Sequence, residues 1–316
     1  METRVNKVLQ ERFLKQVEYG GTKKVVNEIE PLVSVSVPTY QHGKYIRECL
    51  ESIVNQETDF LYEVIVGEDG SKDETRDICI EFADRYPDKI RLFLRDRELS
   101  QYYEDGKFIT RFNGIWNRMS ARGKYIAMCE GDDYWTDPYK LQKQIDFLED
   151  NPNISLSFHA AKHLHLLTEK EVIHGYKVDN RIKIFKAKDA ILGGGEFMTT
   201  NSMVFRTEHI KNMPKWILSA PTGDYALAML LSSYGNIAYL NDIMSVYRKG
   251  VSGSWTNDTR NIKYQIKWLL QTNKMLANFN VWSNRKYFIY IIIKQLLNIK
   301  NVLLFSIKEI LKIYKL

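Results

Sequence analysis

Tyr125-Ile126-Ala127-Met128-Cys129 runs without a break into Glu130-Gly131-Asp132-Asp133-Tyr134-Trp135. A short apolar run that ends in a turn-forming acidic segment has the length and character of a strand buried on both faces. The three carboxylates Glu130, Asp132 and Asp133 fall within four positions and repel one another unless a cation neutralises them. All-oxygen ligands select a hard divalent ion, Mg²⁺ or Mn²⁺, whose shell substrate phosphates commonly complete. A solvated acidic turn is the other reading of this spacing. Gly131 lets a ligand come close to the backbone.

Outward from this strand, Leu32–Val37, Tyr62–Val66 and Ile90–Leu94 have the same character. Between them Ile46, Leu50, Ile53 and Val54 mark one helical stripe, and Ile78, Cys79 and Phe82 another. Strand and helix therefore alternate, which predicts an open α/β sheet with helices on both faces. Further on the pattern predicts a helix from Pro138 to Glu149, strands near Ile154–Phe158 and Ser202–Phe205, a helix from Tyr225 to Tyr234, and a strand pair at Ile237–Leu240 and Met244–Tyr247. Residues 1–31 read as an N-terminal helical extension, 32–258 as the main domain, and 259–316 as a basic amphipathic helical region.

The chain has 316 residues, 44% hydrophobic and 27% charged, with 14 Phe, 19 Tyr and 6 Trp. That aromatic content excludes a disordered chain, and 17 Gly, 7 Pro and 3 Cys exclude collagen-like and disulfide-scaffold classes. The net charge of +6 is uneven: from Arg260 onward eleven basic residues face one acid, Glu309, which leaves the first 259 residues at −4. Polar residues Lys294, Asn298, Asn301, Lys308, Lys312 and Lys315 recur at helical spacing among aliphatic ones. Residues 285–316 thus suit an anionic membrane surface, packing on their own protein, or a homodimer contact. Nucleic acid is not expected there, because no stacking platform accompanies the lysines. Cys49, Cys79 and Cys129 are dispersed and read as small core residues, and no signal-peptide run opens the chain, so a cytoplasmic location is expected. The longest apolar run, Tyr287–Ile293, is cut by Lys294, so no transmembrane helix is expected.

An open α/β sheet binds ligands at the carboxyl ends of its strands. The first strand ends in Pro38-Thr39-Tyr40-Gln41-His42-Gly43, a rigid turn carrying a hydroxyl and an aromatic ring. The second ends in Glu68-Asp69-Gly70-Ser71-Lys72-Asp73-Glu74. Ser71 and Glu74 make a capping box, which leaves Asp69 free to accept from a base N–H or ribose hydroxyl, or to form the turn.

Val35-Ser36-Val37-Pro38-Thr39-Tyr40, Glu68-Asp69-Gly70-Ser71-Lys72-Asp73 and Glu130-Gly131-Asp132-Asp133-Tyr134-Trp135 together resemble the successive motifs of family 2 glycosyltransferases with the GT-A fold, over roughly 32–255. The resemblance implies an inverting enzyme with a nucleotide-sugar donor, usually uridine-based, and a glycan or lipid-linked acceptor. It places Pro38, Thr39 and Tyr40 along the nucleoside and Asp69 at the uracil or ribose. Glu130 and Asp132 stand at the ends of the family's Asp-x-Asp motif, with Asp132 the metal ligand and Glu130 replacing the first aspartate. Asp133, Tyr134 and Trp135 lie beside donor sugar and acceptor, Thr200 and Asn201 line the acceptor pocket, and Arg111 and Asn113 reach toward the diphosphate. The base is implied at Asp224, in Gly223-Asp224-Tyr225, a position that equally suits a helix N-cap. After Tyr247-Arg248 many relatives carry a histidine; this chain has Lys249, then Gly250, Gly253 and Trp255. Water then completes the metal shell, or Arg248 and Lys249 clamp the diphosphate. A nucleotidyltransferase is disfavoured because Pro38–Lys44 lacks a glycine-rich basic loop, whereas a non-catalytic homologue that binds a nucleotide sugar or partner transferase is the alternative supported by the missing histidine.

Overall fold

Valine alternates with serine along Val33–Thr39 (β1), and every residue of the strand except Pro38 is buried. In the computed structural model, which describes residues 4–21, 25–176, 181–211, 213–251 and 262–313, β1 lies between Tyr62–Glu68 (β2) and Tyr125–Met128 (β4) and runs parallel to both. Ile90–Leu94 (β3) runs parallel beyond β2. A strand covered on both sides must satisfy its polar side chains internally. Ser34 Oγ accordingly donates to Glu63 at 2.6 Å and accepts the Gly123 N–H at 2.9 Å. Glu63 in turn pairs with Arg122 at 2.7 Å and Arg91 at 3.3 Å.

Val204–Arg206 (β6) pairs antiparallel with β4 and with Ile154–His165 (β5), and Asn236–Lys249 (β7) runs parallel to β5. The result is one mixed eleven-stranded sheet. Val17–Glu18 adds an antiparallel edge beside β3. Where a strand pair is predicted at 237–247, β7 is continuous. Its register slips between Leu240 and Ile243 and again before Ser245, so the polar Asn241-Asp242 step is absorbed as a bulge instead of a hairpin.

Ile46–Val54 (α1), Thr75–Arg85 (α2) and Lys140–Asp150 (α4) cover one face of the sheet around Val35, Leu50, Phe82, Leu141 and the three cysteines. Asn113–Met119 (α3) and Gly223–Ser232 (α5) cover the other. The expected α/β sheet with helices on both faces is the one observed. Ile262–Trp282 (α6) and Phe288–Ile313 (α7) follow as C-terminal helices, joined to α5 through Met229, Leu230, Phe279 and Ile291.

The expectation that no helix can span a membrane is corrected by α7. Its Phe288–Glu309 stretch is long and apolar enough to cross a bilayer, and only 17% of its most apolar part is buried. Lys294 breaks the apolar run in sequence, but the helix turns that lysine to one edge, where its Nζ donates to Leu192 O at 2.9 Å.

Candidate active site

The loops after β1 and β2 are fastened to each other. Gln41, in the left-handed region at φ 57°, accepts the Lys72 N–H at 2.9 Å through its side chain, and its own N–H donates to Ser71 Oγ at 3.0 Å. Gly43 N–H donates to Asp73 at 2.9 Å. The predicted capping box does not form, because Asp73 accepts the Thr75 N–H at 3.1 Å and Ser71 is occupied by Gln41.

Asp69, at the end of β2, is 1% exposed and paired with Arg97, which follows β3. The Arg97 guanidinium stacks on the Tyr40 ring 3.3 Å from its centroid. Burial pushes the Asp69 carboxyl up despite Arg97 and Ser100, and its Oδ1 has no partner. Arg111 is influenced by Arg97, Asp69 and Tyr40. An aromatic face, an unmet acceptor and two guanidiniums thus gather at one end of the cleft. That combination suits a base with an N–H donor and an attached phosphate.

The other end is acidic. Burial, with Asp132 and Asp224 next in effect, pushes Glu130 up to about 8, opposed by a hydrogen bond from Thr200 and the charge of Arg118. Asp224 lies in the first turn of α5, where its carboxylate accepts the Tyr225 N–H at 2.7 Å and burial raises its pKa. Thr222, not Asp224, occupies the N-cap. Tyr247 of β7 faces Glu130, Asp133, Asp132 and Asp224 together, and burial and those charges raise its phenol. His42 brings Nε2 to 3.9 Å from Asp132, while its Nδ1 meets Thr39 Oγ1 at 3.2 Å. Burial lowers the His42 pKa more than Asp132 and Asp73 raise it.

Several residues expected at the ligand make internal contacts. Asp133 is fully buried and accepts the Arg248 N–H at 2.9 Å, which braces β7, while its Oδ2 has no partner. Arg248 is spent on Asp132 O at 2.7 Å, on Glu48, and on the Tyr134 ring, 4.5 Å from its centroid. Trp135 is buried and donates to Asn201 O at 3.0 Å; Asn201, also buried, donates to Val246 O at 2.9 Å and accepts from Ser245. Asn113 turns toward the sheet and donates to Gly67 O at 3.0 Å. Gly131 answers to packing before ligand access, because a Cβ there would sit 2.5 Å from Thr39 Oγ1. Trp255 lies outside the described residues.

Sequence reasoning missed Arg97, Arg118, Tyr247 and the role of His42. Arg97 and Arg118 carry no motif. His42 looked isolated because its partner, Asp132, is ninety positions away. Among the described residues no group of three or more His, Cys, Asp or Glu side chains is arranged to hold a metal. Asp132 and the neutral imidazole of His42 nevertheless make a two-ligand set, with Nδ1 fixed by Thr39 so that Nε2 faces the carboxylate. A hard ion bound through one or two side chains and substrate phosphates fits it.

A sequence profile described as glycosyl transferase family 2 matches residues 34–213. An uncharacterized Mycobacterium tuberculosis protein, Rv1520, is 33% identical over 71% of this chain and 60% of its own length. The minor teichoic acid biosynthesis protein GgaA of Bacillus subtilis is 29% identical over 57% of this chain and 40% of its own. The chain therefore spans about 60% of the mycobacterial relative it matches. The S. aureus TarS 1–349 structure in complex with UDP-GlcNAc shares the fold, with a TM-score of 0.53 at 18% identity over 78% of this chain and 65% of that one.

Proposed function

The chain belongs to glycosyl transferase family 2, and from that premise we propose that it moves a sugar from a UDP-linked donor to a hydroxyl of a glycan or lipid-linked acceptor, with inversion. The observation that carries this reading is the convergence of Glu130 with Asp132 and Asp224, and of Arg111 with Tyr40, Asp69 and Arg97, at residues that follow the ends of β1, β2 and β4 or open α5. The donor of the TarS complex, UDP-GlcNAc, supports the nucleotide choice.

The nucleoside lies at Pro38, Thr39, Tyr40 and Asp69, where Arg97 must leave the Tyr40 face for a base to stack there. Arg111 meets the phosphates. Asp224 takes the proton of the acceptor hydroxyl as its oxygen attacks the anomeric carbon from the side opposite the leaving diphosphate. Burial raises Asp224, the direction that strengthens a carboxylate base. Thr200 and Tyr247 hold hydroxyls near the reacting carbon. Asp132 and His42 would hold a divalent ion, Mn²⁺ or Mg²⁺. When bound, that ion offsets charge on the departing diphosphate.

The enzyme works at the cytoplasmic surface of a membrane. Exposed Ile289, Leu296, Leu303 and Leu304 on α7 support this, with basic Lys300 and Lys308 among them. Lys294 fastens α7 to Leu192, close to Glu196, whose charge reaches Asp224. A membrane-borne acceptor would therefore arrive on the side of the base.

Calorimetric titration with UDP tests the donor site. Wild type binds UDP with Mn²⁺ and loses on the order of tenfold or more of that affinity in EDTA or as Asp132→Ala. Failure of the wild type to bind UDP in either condition rejects the uridine donor.

A further inference from the structure

A pocket of about 210 Å³ opens between α3 and the segment 213–223 that leads into α5. Gly114, Ile115 and Arg118 of α3, with Thr110 and Arg111 from the strand Lys107–Arg111 that precedes it, supply one wall. Met213, Ile217, Leu218 and Ala220 supply an apolar wall opposite, and Gly223, next to Asp224, closes one side.

Arg118 is the anomaly in this pocket. Its Nε is buried with no hydrogen-bond partner, and among the described residues its guanidinium makes no ion pair, although the charge of Glu130 reaches it. Arg118 is partly exposed, and enclosing its Nε–H unmet is costly while the rest of the fork opens to the pocket. Other enclosed guanidiniums are bonded: Arg95, beside α3, donates to Asn113 and Asn117, and Arg206, on the opposite face of the sheet, to Ile154 O, Leu148 O and Tyr125.

Arg111, assigned above to the donor phosphates, lines the same pocket, and Arg118 extends that basic wall along α3. The nucleotide end is fixed by Asp69 and Tyr40 at the tips of β1 and β2. Helix α3 descends from there, its Asn113 reaching Gly67 O and its Asn117 Ile65 O, so Arg118 sits a little over one turn beyond Asn113. Resting on the assignment of Asp224 as base, we infer that this pocket is an acceptor subsite that selects a negatively charged group, a phosphate or a carboxylate, next to the attacking hydroxyl. The guanidinium meets the anion by paired N–H donors, and the apolar wall receives the carbon skeleton.

The test is titration calorimetry with sn-glycerol 3-phosphate against glycerol, and with glucuronate against glucose, each with and without UDP. In wild type one anionic probe should bind on the order of tenfold more tightly than its neutral counterpart, and which of the two does so identifies phosphate or carboxylate. Arg118→Gln should erase that preference with UDP affinity unchanged, and Arg118→Lys should retain part of it. Equal binding of charged and neutral probes by wild type, or a preference that survives Arg118→Gln, overturns the inference. So does a loss of UDP affinity in Arg118→Gln with an unchanged melting temperature, because the arginine then serves the diphosphate. Absence of UDP binding in wild type would instead reject the donor reading, while the probes without UDP still decide the subsite.

Discussion

Asp224→Asn preserves the side-chain volume and the oxygen that accepts the Tyr225 N–H, so it removes the proton acceptor and little else. Turnover should fall by about 10³-fold with UDP affinity within twofold of wild type, by analogy with other positioned bases; steady-state rates beside UDP titration separate the two. Lys140 offers a pH prediction at the same scale. It is fully buried with no hydrogen-bond partner, and its Nζ lies 4.0 Å from the centroid of the Trp135 ring. Burial lowers its pKa to about 7 against the opposing influence of Cys129 and Asp137, and the charged form would also face His159. The unfolded chain therefore holds a proton that the folded chain has released between pH 7 and 10.5. Stability should rise with pH through that window and carry the full cost of the buried charge below it. Lys140→Met should flatten the rise and add on the order of 2 kcal/mol at pH 7, read from urea midpoints at pH 7 and 9.

At the scale of elements, α3 is held by a pattern the sequence displays but does not announce. Asn113 and Asn117, one turn apart, donate to Gly67 O and Ile65 O of β2 at 3.0 and 3.1 Å and both accept from Arg95. Asn117→Ala removes the amide donor to Ile65 O and one of the acceptors of the buried Arg95, which keeps Asn113 and Gln16, and should lower stability by about 2 kcal/mol in denaturant unfolding. Strand β4 was legible as a continuous apolar run, and β1 to β3 as short runs dominated by Val, Ile and Leu despite Ser34, Ser36, Glu63 and Arg91. The bulge in β7 was not, since Asn241-Asp242 reads equally as a turn and only the pairing with β5 decides. The first half of the site was legible because Tyr40, Asp69 and Asp132 follow strand ends. The internal contacts of Asp133, Trp135 and Asn201 were not legible, because they are polar or aromatic residues near those ends and nothing local reveals that they bond within the protein. Arg97 and Arg118 become neighbours of Asp69 and Glu130 only when the sheet and α3 are assembled.

Charge and apolar surface are divided over the whole molecule in a way that suits one orientation. The first 259 residues are net negative and the region from Arg260 onward strongly positive, so an anionic surface repels the body and attracts the helices. Each basic residue near such a surface contributes about 1 kcal/mol, and the exposed aliphatic side of α7 adds apolar burial on the same element. The full chain should therefore sediment with phosphatidylglycerol vesicles and much less with phosphatidylcholine vesicles. Lys300→Glu with Lys308→Glu should weaken binding to the anionic vesicles by one to two orders of magnitude, whereas Leu296→Ser with Leu303→Ser should weaken binding to both. A dimer contact predicts the reverse. The chain would then sediment as a dimer in ultracentrifugation, the serine pair would convert it to monomer, and vesicles would recover none of it. The same surface cannot satisfy both outcomes, because leucines covered by a second copy have no apolar area left for lipid.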